Sequence, residues 1–343
     1  MPLTYTYPTD LELRLIEPEL QDQLVLADPI FKFFPIVNDD ADVLAWEQRD
    51  NYRGMQKVRG LNGEPGRVKS VGGKRFIMEP GYYGEVISID EQELTRRRPY
   101  GQFSGPISID DLVAQRNRQL AHRENVLIRY IIWTLLTTGQ FAVLADDGQV
   151  KHTDAYDFQT YTAGTAWSVA ATATPLANFQ AVQALGAAHG ANFGAGAVAF
   201  MRRSVFNEMT SNTNANDLAG KRTSGLATVI GVDDVNKVMA QSDLPTIIVY
   251  DEGYEDDDKA FQHFLPADTV VVIGKRATGE SIGEYRKTRN VNNPNGEPGG
   301  YQKVVDSATP GNPNPVPRKI DVHRGHNGGP VIFYPSNVVV MSV

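Results

Sequence analysis

The chain of 343 residues is 41% hydrophobic and 22% charged, enough apolar surface for a substantial core in two domains or in one with large excursions. It has no cysteine, which excludes disulfides, thiolate catalysis and zinc-thiolate sites of its own. A formal charge of -8 argues against a general nucleic-acid binder, and the N-terminus shows no basic region followed by an apolar run, so the chain is expected to stay in the cytoplasm where it is made.

Residues 1–51 read as an arm. Pro2, Pro8, Pro29 and Pro35 force extended or turn backbone. The arm also carries Phe31, Phe33, Phe34 and Trp46, large apolar side chains that a free tail does not need. They are expected to lie on another surface, that of a neighbouring subunit. Between residues 52 and 80 the composition shifts. Glycines punctuate strand-like pieces such as RFIM, and LNGEPG has turn chemistry, so a long two-stranded excursion is expected. Arg53, Lys57, Arg59, Arg67, Lys69, Lys74 and Arg75 face only Glu64 and Glu79 there, a net +5 that leaves -13 on the remainder. Such an excursion is suited to an acidic partner surface, with a solvated hairpin as the plain alternative.

Ser108 to Thr138 has helical periodicity and no internal Gly or Pro, and reads as one helix of about 45 Å. Ser108 with Asp111 forms a carboxylate variant of the capping box, Pro106 stands upstream, and Gly139 marks the stop. The first half is amphipathic, with Ile109, Leu112, Val113 and Leu120 on one face and Gln115, Arg116, Asn117, Arg118 and Arg123 elsewhere. From Val126 to Leu136 apolar residues surround the axis, so that end is expected to be covered on several sides. The run is too short for a bilayer and contains Arg129, so no membrane association is expected.

Beyond it, Asp147-Gly148 signals a hairpin, PLANFQAVQALGAAH and VDDVNKVMAQ read as helices, and AVAFM and TIIVY as strands. YDEGYEDDDKAFQHFLPADTVVVIG reads as two strands around an acidic turn, residues 290–317 as a long loop, and PVIFYPSNVVVMSV as one or two closing strands.

Motif by motif, chemistry finds little support. Gly279-Glu280-Ser281-Ile282-Gly283 has the letters of a nucleophile elbow, but a polar, breaker-rich stretch follows where a helix is required, and Asp321 and His323 stand only two apart. Gly73-Lys74, Gly220-Lys221 and Gly274-Lys275 are each followed by Arg where a phosphate loop needs Ser or Thr. His323 and His326 form an HxxH among glycines, expected in a loop or strand end, and Glu255 to Asp258 lacks the spacing of a calcium loop. No catalytic residue, cofactor site or metal site is expected.

Several stretches carry a resemblance. RFIMEPGYYGEVISIDEQELTRRR, with its aromatic-Pro-Gly-aromatic turn and its cluster Arg96, Arg97 and Arg98, TIIVYDEGY followed by FLPADTVVVIG, and the ending PVIFYPSNVVVMSV are together similar to the major capsid protein E family of lambda-like tailed bacteriophages. The resemblance implies an α+β chain with the Hong Kong 97-type capsid fold. The arm is then 1–51, the extended loop 52–80, the peripheral domain 81–170 with 300–330, and the axial domain 171–299 with 331–343. It implies a subunit that assembles as hexamers and pentamers into an icosahedral shell around double-stranded DNA, without sequence-specific DNA binding. It also implies scaffolding, portal and decoration proteins as partners and a place in the virion. The rival readings are a serine hydrolase using GESIG and an unrelated oligomeric binding protein.

Overall fold

The computed structural model describes residues 28–49, 55–61, 63–64, 67–70, 72–95, 108–144, 149–211, 231–256, 258–276, 279, 281–293, 297–307 and 318–343. Five strands form a first sheet around β15 (Ile320–Ile332). One edge of β15 pairs with β4 (Gly81–Ile89), from Ile320 opposite Ile89 to Gly328 opposite Gly81. Its other edge pairs first with β14 (Gly300–Asp306) and then with β13 (Gly283–Thr288). On β13 lies the short parallel strand β1 (Ile36–Asn38). Glycine is needed where these backbones close up: a Cβ on Gly325 would stand 2.3 Å from the carbonyl oxygen of Tyr83.

A second five-stranded sheet has the order β7 (Gln159–Thr162), β16 (Val338–Ser342), β12 (Thr269–Ile273), β8 (Val198–Met201) and β9 (Thr246–Val249). Its central strands are runs of Val and Ile buried on both faces. The two-residue period sorts them. Ala199, Met201, Val270, Val272, Val339 and Met341 face the helices α3 (Pro175–His189), α4 (Arg203–Ser211) and α5 (Val232–Gln241), while Phe200, Val271, Ile273 and Val338 join the other main core cluster. Two-stranded ladders complete the described fold: β2 (Leu44–Arg49) with β3 (Gly73–Met78), β5 (Gln140–Leu144) with β6 (Val150–Ala155), and β10 (Gly253–Glu255) with β11 (Phe261–His263).

The helix α2 (Ile109–Thr138) lies against both sheets, and a short helix α1 (Glu91–Thr95) precedes it. It ends at Gly139, in the left-handed region at φ 70°, whose N–H donates to Leu135 O at 2.8 Å. Ser108 is the N-cap residue, but its side chain makes no capping bond; Asp110 and Asp111 complement the dipole of the first turn instead. Val113, Leu120, Ile320, Val322 and Ile89 form a small core under the first sheet. Ile128, Ile132, Trp133, Leu135 and Leu136 are all but inaccessible in the larger one. Trp133 meets Phe200 at 5.3 Å and Tyr250 at 4.8 Å between ring centroids, which joins the helix to the second sheet.

Some expectations need correction. Residues 300–306 form β14 rather than loop, because the bonding edge of β15 and the alternation in YQKVVD outweigh the surrounding Asn, Gly and Pro. His323 and His326 lie inside strand β15, and at an odd spacing they face opposite sides of the sheet, so they do not form a common site. Asn117 is buried, and Arg116 is half-buried and paired with Glu93 at 2.7 Å, so neither belongs to a free polar face. The hairpin's first strand starts at Leu44, within the stretch assigned to the arm. β13 and β7 pair across the ranges assigned to the two domains, since strand pairing joins segments distant in sequence. Asp147-Gly148, Gly220-Lys221 and Arg96 to Arg98 lie outside the described residues.

Truncating Trp133 to Ala should cost about 3–5 kcal/mol of unfolding free energy, whereas Arg118→Ala, on an exposed position, should stay within about 0.5 kcal/mol. Denaturant unfolding of the two variants checks the ranking, and a reversed order would refute this assignment of the buried face.

Candidate functional site

The excursion is rooted in the chain's own core. On β2 and β3 the register places Leu44 opposite Met78 and Trp46 opposite Phe76, all on the inner face. Trp46 stacks on Phe76 at 5.2 Å, Phe76 on Tyr156 at 5.6 Å, and Tyr156 on Phe158 at 6.4 Å. Lys74 pairs with Asp157 and Lys151 with Glu79 at its margin, both in solvent, where such pairs contribute little. Beyond the ladder Lys57, Arg59, Arg67 and Lys69 are exposed, as are Lys74 and Arg75 on β3; Arg53 lies outside the described residues. Met55, Val58 and Leu61 are 92%, 99% and 98% exposed, large apolar side chains that the described residues leave uncovered.

The four apolar residues grouped with these as neighbour contacts turn into their own subunit. Phe31, Phe33, Phe34 and Trp46 are 4%, 7%, 0% and 8% exposed within their own subunit, so they are core rather than interface. What holds that segment is Asp28. Its Oδ1 accepts from the N–H of Ile30 at 2.9 Å, capping a single 3-10 turn, and its Oδ2 accepts from Tyr250 Oη at 2.7 Å and Arg129 Nη1 at 3.1 Å. Burial, then the neighbouring Asp28 carboxylate, pushes the Tyr250 hydroxyl well above the ordinary tyrosine range.

A groove of about 800 Å³ runs between α2, the edge of β4 at Tyr82 to Glu85, β15 at Arg324 to His326, and the β10–β11 hairpin. Leu120, Leu127, Tyr130, Tyr254 and Phe261 give it an apolar, aromatic wall, and Glu85 and Glu255 add carboxylates. Val126 and Leu127 are only half-buried because they line this groove, so the all-round burial expected of α2 begins one turn later. The acidic hairpin beside it is a tight turn, not a metal loop. Asp256 accepts from the side chain of Gln262 and from the N–H groups of Ala260 and Asp258, which holds its carboxyl below the usual range. Among the described residues no group of three or more acidic or histidine side chains is placed to hold a metal.

Under the groove lies a buried ionic cluster. Glu124 of α2 accepts from Lys287 Nζ at 2.7 Å and from Arg324 Nε at 2.6 Å, and His326 Nδ1 stands 3.1 Å from it. Arg324 also donates to Asn117 Oδ1 at 3.2 Å, and His326 Nε2 meets Tyr285 Oη at 2.8 Å. Burial opposes ionisation of Glu124, but Lys287, His326 and Arg324 outweigh it and hold the carboxyl well below its ordinary range. Its position was legible: Val113, Asn117, Leu120, Glu124, Ile128, Ile131 and Leu135 follow one stripe at spacings of three and four, so Asn117 and Glu124 occupy core positions. The GESIG segment, by contrast, leads into strand β13 rather than a helix, and the carbonyl of Ser281 is bound by Arg276.

A model of the family described as phage major capsid protein E matches residues 30–294. The chain belongs to that family. It is a structural protein of the virion that builds an icosahedral phage shell. The protein assigned as the capsid protein of a prophage of E. coli CFT073 superposes with a TM-score of 0.61 at 14% identity, over 96% of this chain and 98% of that one. A phage-related protein from Bordetella bronchiseptica RB50 superposes at 0.54 with 9% identity, over 95% and 96%. At these identities the likeness concerns the fold alone, a Hong Kong 97-like mixture of helices and sheets. No curated protein matches the chain. No helix among the described residues of this capsid protein is long and apolar enough to cross a membrane.

Removing the Glu124 charge with Glu124→Gln leaves Lys287 and Arg324 buried without a counter-charge, and should cost about 3–5 kcal/mol. Glu85→Gln, which breaks the exposed pair with Arg123, should cost no more than about 1 kcal/mol. Chemical denaturation of both variants tests the contrast; equal losses would show that the buried cluster is not the joint between helix and sheet.

Proposed function

We propose that this capsid protein closes its capsomers, hexamers and pentamers, by laying the extended hairpin of one copy into the groove of the next. The observation that carries the reading is a match of unsatisfied surfaces. The hairpin presents Met55, Val58 and Leu61 to solvent among Lys57, Arg59, Arg67 and Lys69. The groove offers an aromatic wall beside a hairpin carrying exposed Glu255 and Asp258. Apolar contact supplies affinity and the charges supply register, and each small contact gains from repetition over a closed shell. In this reading α2 is the spine of the peripheral domain, the first sheet belongs with it, and the sheet of β7, β16, β12, β8 and β9 with its helices is the axial domain at the capsomer centre. Packaged double-stranded DNA, scaffolding, portal and decoration proteins are the partners that this role implies.

Deleting Gly60 to Gly66 should leave circular dichroism and melting of the subunit unchanged while sedimentation shows loss of capsomers and shells. Raising salt from 0.1 M to 1 M, which shortens the screening length from about 10 Å to about 3 Å, should weaken the same contacts. Because the chain has no cysteine, the pair Val58→Cys and Leu127→Cys reports the contact directly: disulfide-linked multimers are expected on oxidation of assembled material. Shells formed as readily by the deletion variant would refute the clasp.

A further inference from the structure

The buried cluster contains one group whose charge changes near neutral pH, and the charges around it decide which form fits. The Glu124 carboxylate stands 3.1 Å from His326 Nδ1, off the line of a hydrogen bond, and a ring lone pair facing it there would be repelled, so the ring proton is placed on Nδ1. Nε2 is then the lone-pair side, and it accepts from the Tyr285 hydroxyl at 2.8 Å. His326 and Tyr285 are both wholly inaccessible. The groups around the ring come from every element packed against it: Glu124 of α2, Tyr285 and Lys287 of β13, Arg324 of β15 and Tyr83 of β4, whose ring centroid is 5.3 Å away, while β14 places Gly300 opposite.

We infer that the joint between α2 and the first sheet is an acid-sensitive switch, operated by protonation of His326. With the ring neutral, one carboxylate faces two cations, Lys287 and Arg324, all three nearly withdrawn from solvent. A proton taken up at Nε2 adds a third positive charge and turns both ring nitrogens into donors. The Tyr285 hydroxyl must then accept, and its own hydrogen is left with no other partner among the described residues. Burial, with Lys287 and Arg324, accordingly lowers the affinity of His326 for that proton in spite of Glu124.

The direction in pH follows. The folded-state value lies below the ordinary 6.5, so above 6.5 neither state binds the proton and the joint has its full stability. As pH falls through 6.5 the unfolded chain protonates first, and stability drops until the folded value is reached. Loss from protonation of Glu124 belongs to a separate window below 4.5. Since Glu124 and Arg324 also border the groove, loosening the joint moves the wall on which a neighbour would dock. The switch itself does not depend on that docking.

The test uses the full-length chain in unassembled form. Between pH 7.5 and 5.5 the melting temperature of the unaltered chain and of His323→Gln, on the opposite face of β15, should fall together, and that of His326→Gln should fall less. In the unaltered chain, nitrogen NMR of labelled histidine should show one ring protonated on Nδ1 alone at pH 7.5 that titrates below 6.5. That measurement decides the matter even if His326→Gln does not fold. A His326 ring carrying both protons at pH 7.5, or equal pH dependence in all three proteins, would overturn the switch while leaving the capsid assignment untouched.

Discussion

A thirty-residue helix that carries Ile131, Ile132, Trp133, Leu135 and Leu136 around its axis near its end has no stable position at the surface of a single layer, and the architecture follows from that constraint. One sheet can cover one stripe. The C-terminal half of α2 therefore needs the first sheet on one side, Phe200 and Val338 of the second on another, and the aromatic turn at Phe31 to Phe34 besides. Each of these is held by the others through the same helix. Leu135 and Leu136 at 0% exposure measure how complete the enclosure is, and a fully buried leucine is worth roughly 1.5–3 kcal/mol.

Polar groups then decide how the layers sit, because apolar contact alone is non-directional. Two carboxylates do most of this. Asp28 ties the entering chain to Arg129 of α2 and to Tyr250 beyond the second sheet, and Glu124 ties the same helix to Lys287 and Arg324 of two strands in the first. Both are almost fully withdrawn from water, where a pair with good geometry roughly offsets its own desolvation but a broken pair is costly. Their effect is to penalise a sliding or rotated helix more than to add net stability.

Local signals in the sequence were enough for the helices and most strands. Gly139 and the run ending at Thr138 set one boundary of α2, and PLANFQAVQALGAAH and VDDVNKVMAQ are helical over the ranges their periodicity indicates. What escaped depends on partners far away in the chain. β14 is a strand because β15 lends it an edge, and β13 joins β15 from a range that composition would group with the second sheet. The aromatic residues of the arm need cover, but hydrophobicity does not say whose surface supplies it; Phe34 and Trp46 find it at home rather than on a neighbour. Of the site, the basic excursion was legible from charge. The groove was not, since it arises where a helix, a strand edge and a hairpin meet, and Glu124 was legible only through its place on an apolar stripe.

The division between anchored and exposed parts bears on how such a subunit works. The root of the excursion is a stack of four aromatic rings, so its direction is set by the subunit's own core before any neighbour arrives. Its far part, from Met55 to Leu61, contributes nothing to that core, and leaving apolar side chains in water is unfavourable until another surface covers them. A rigid root with an unsatisfied tip limits the ordering entropy still to be lost on contact, which is what a weak interface needs if it is to be specific. A shell requires contacts weak enough to be corrected during growth and numerous enough to hold at closure. Stability located in the body and affinity located in a projecting tip satisfy both demands, because either can change without the other.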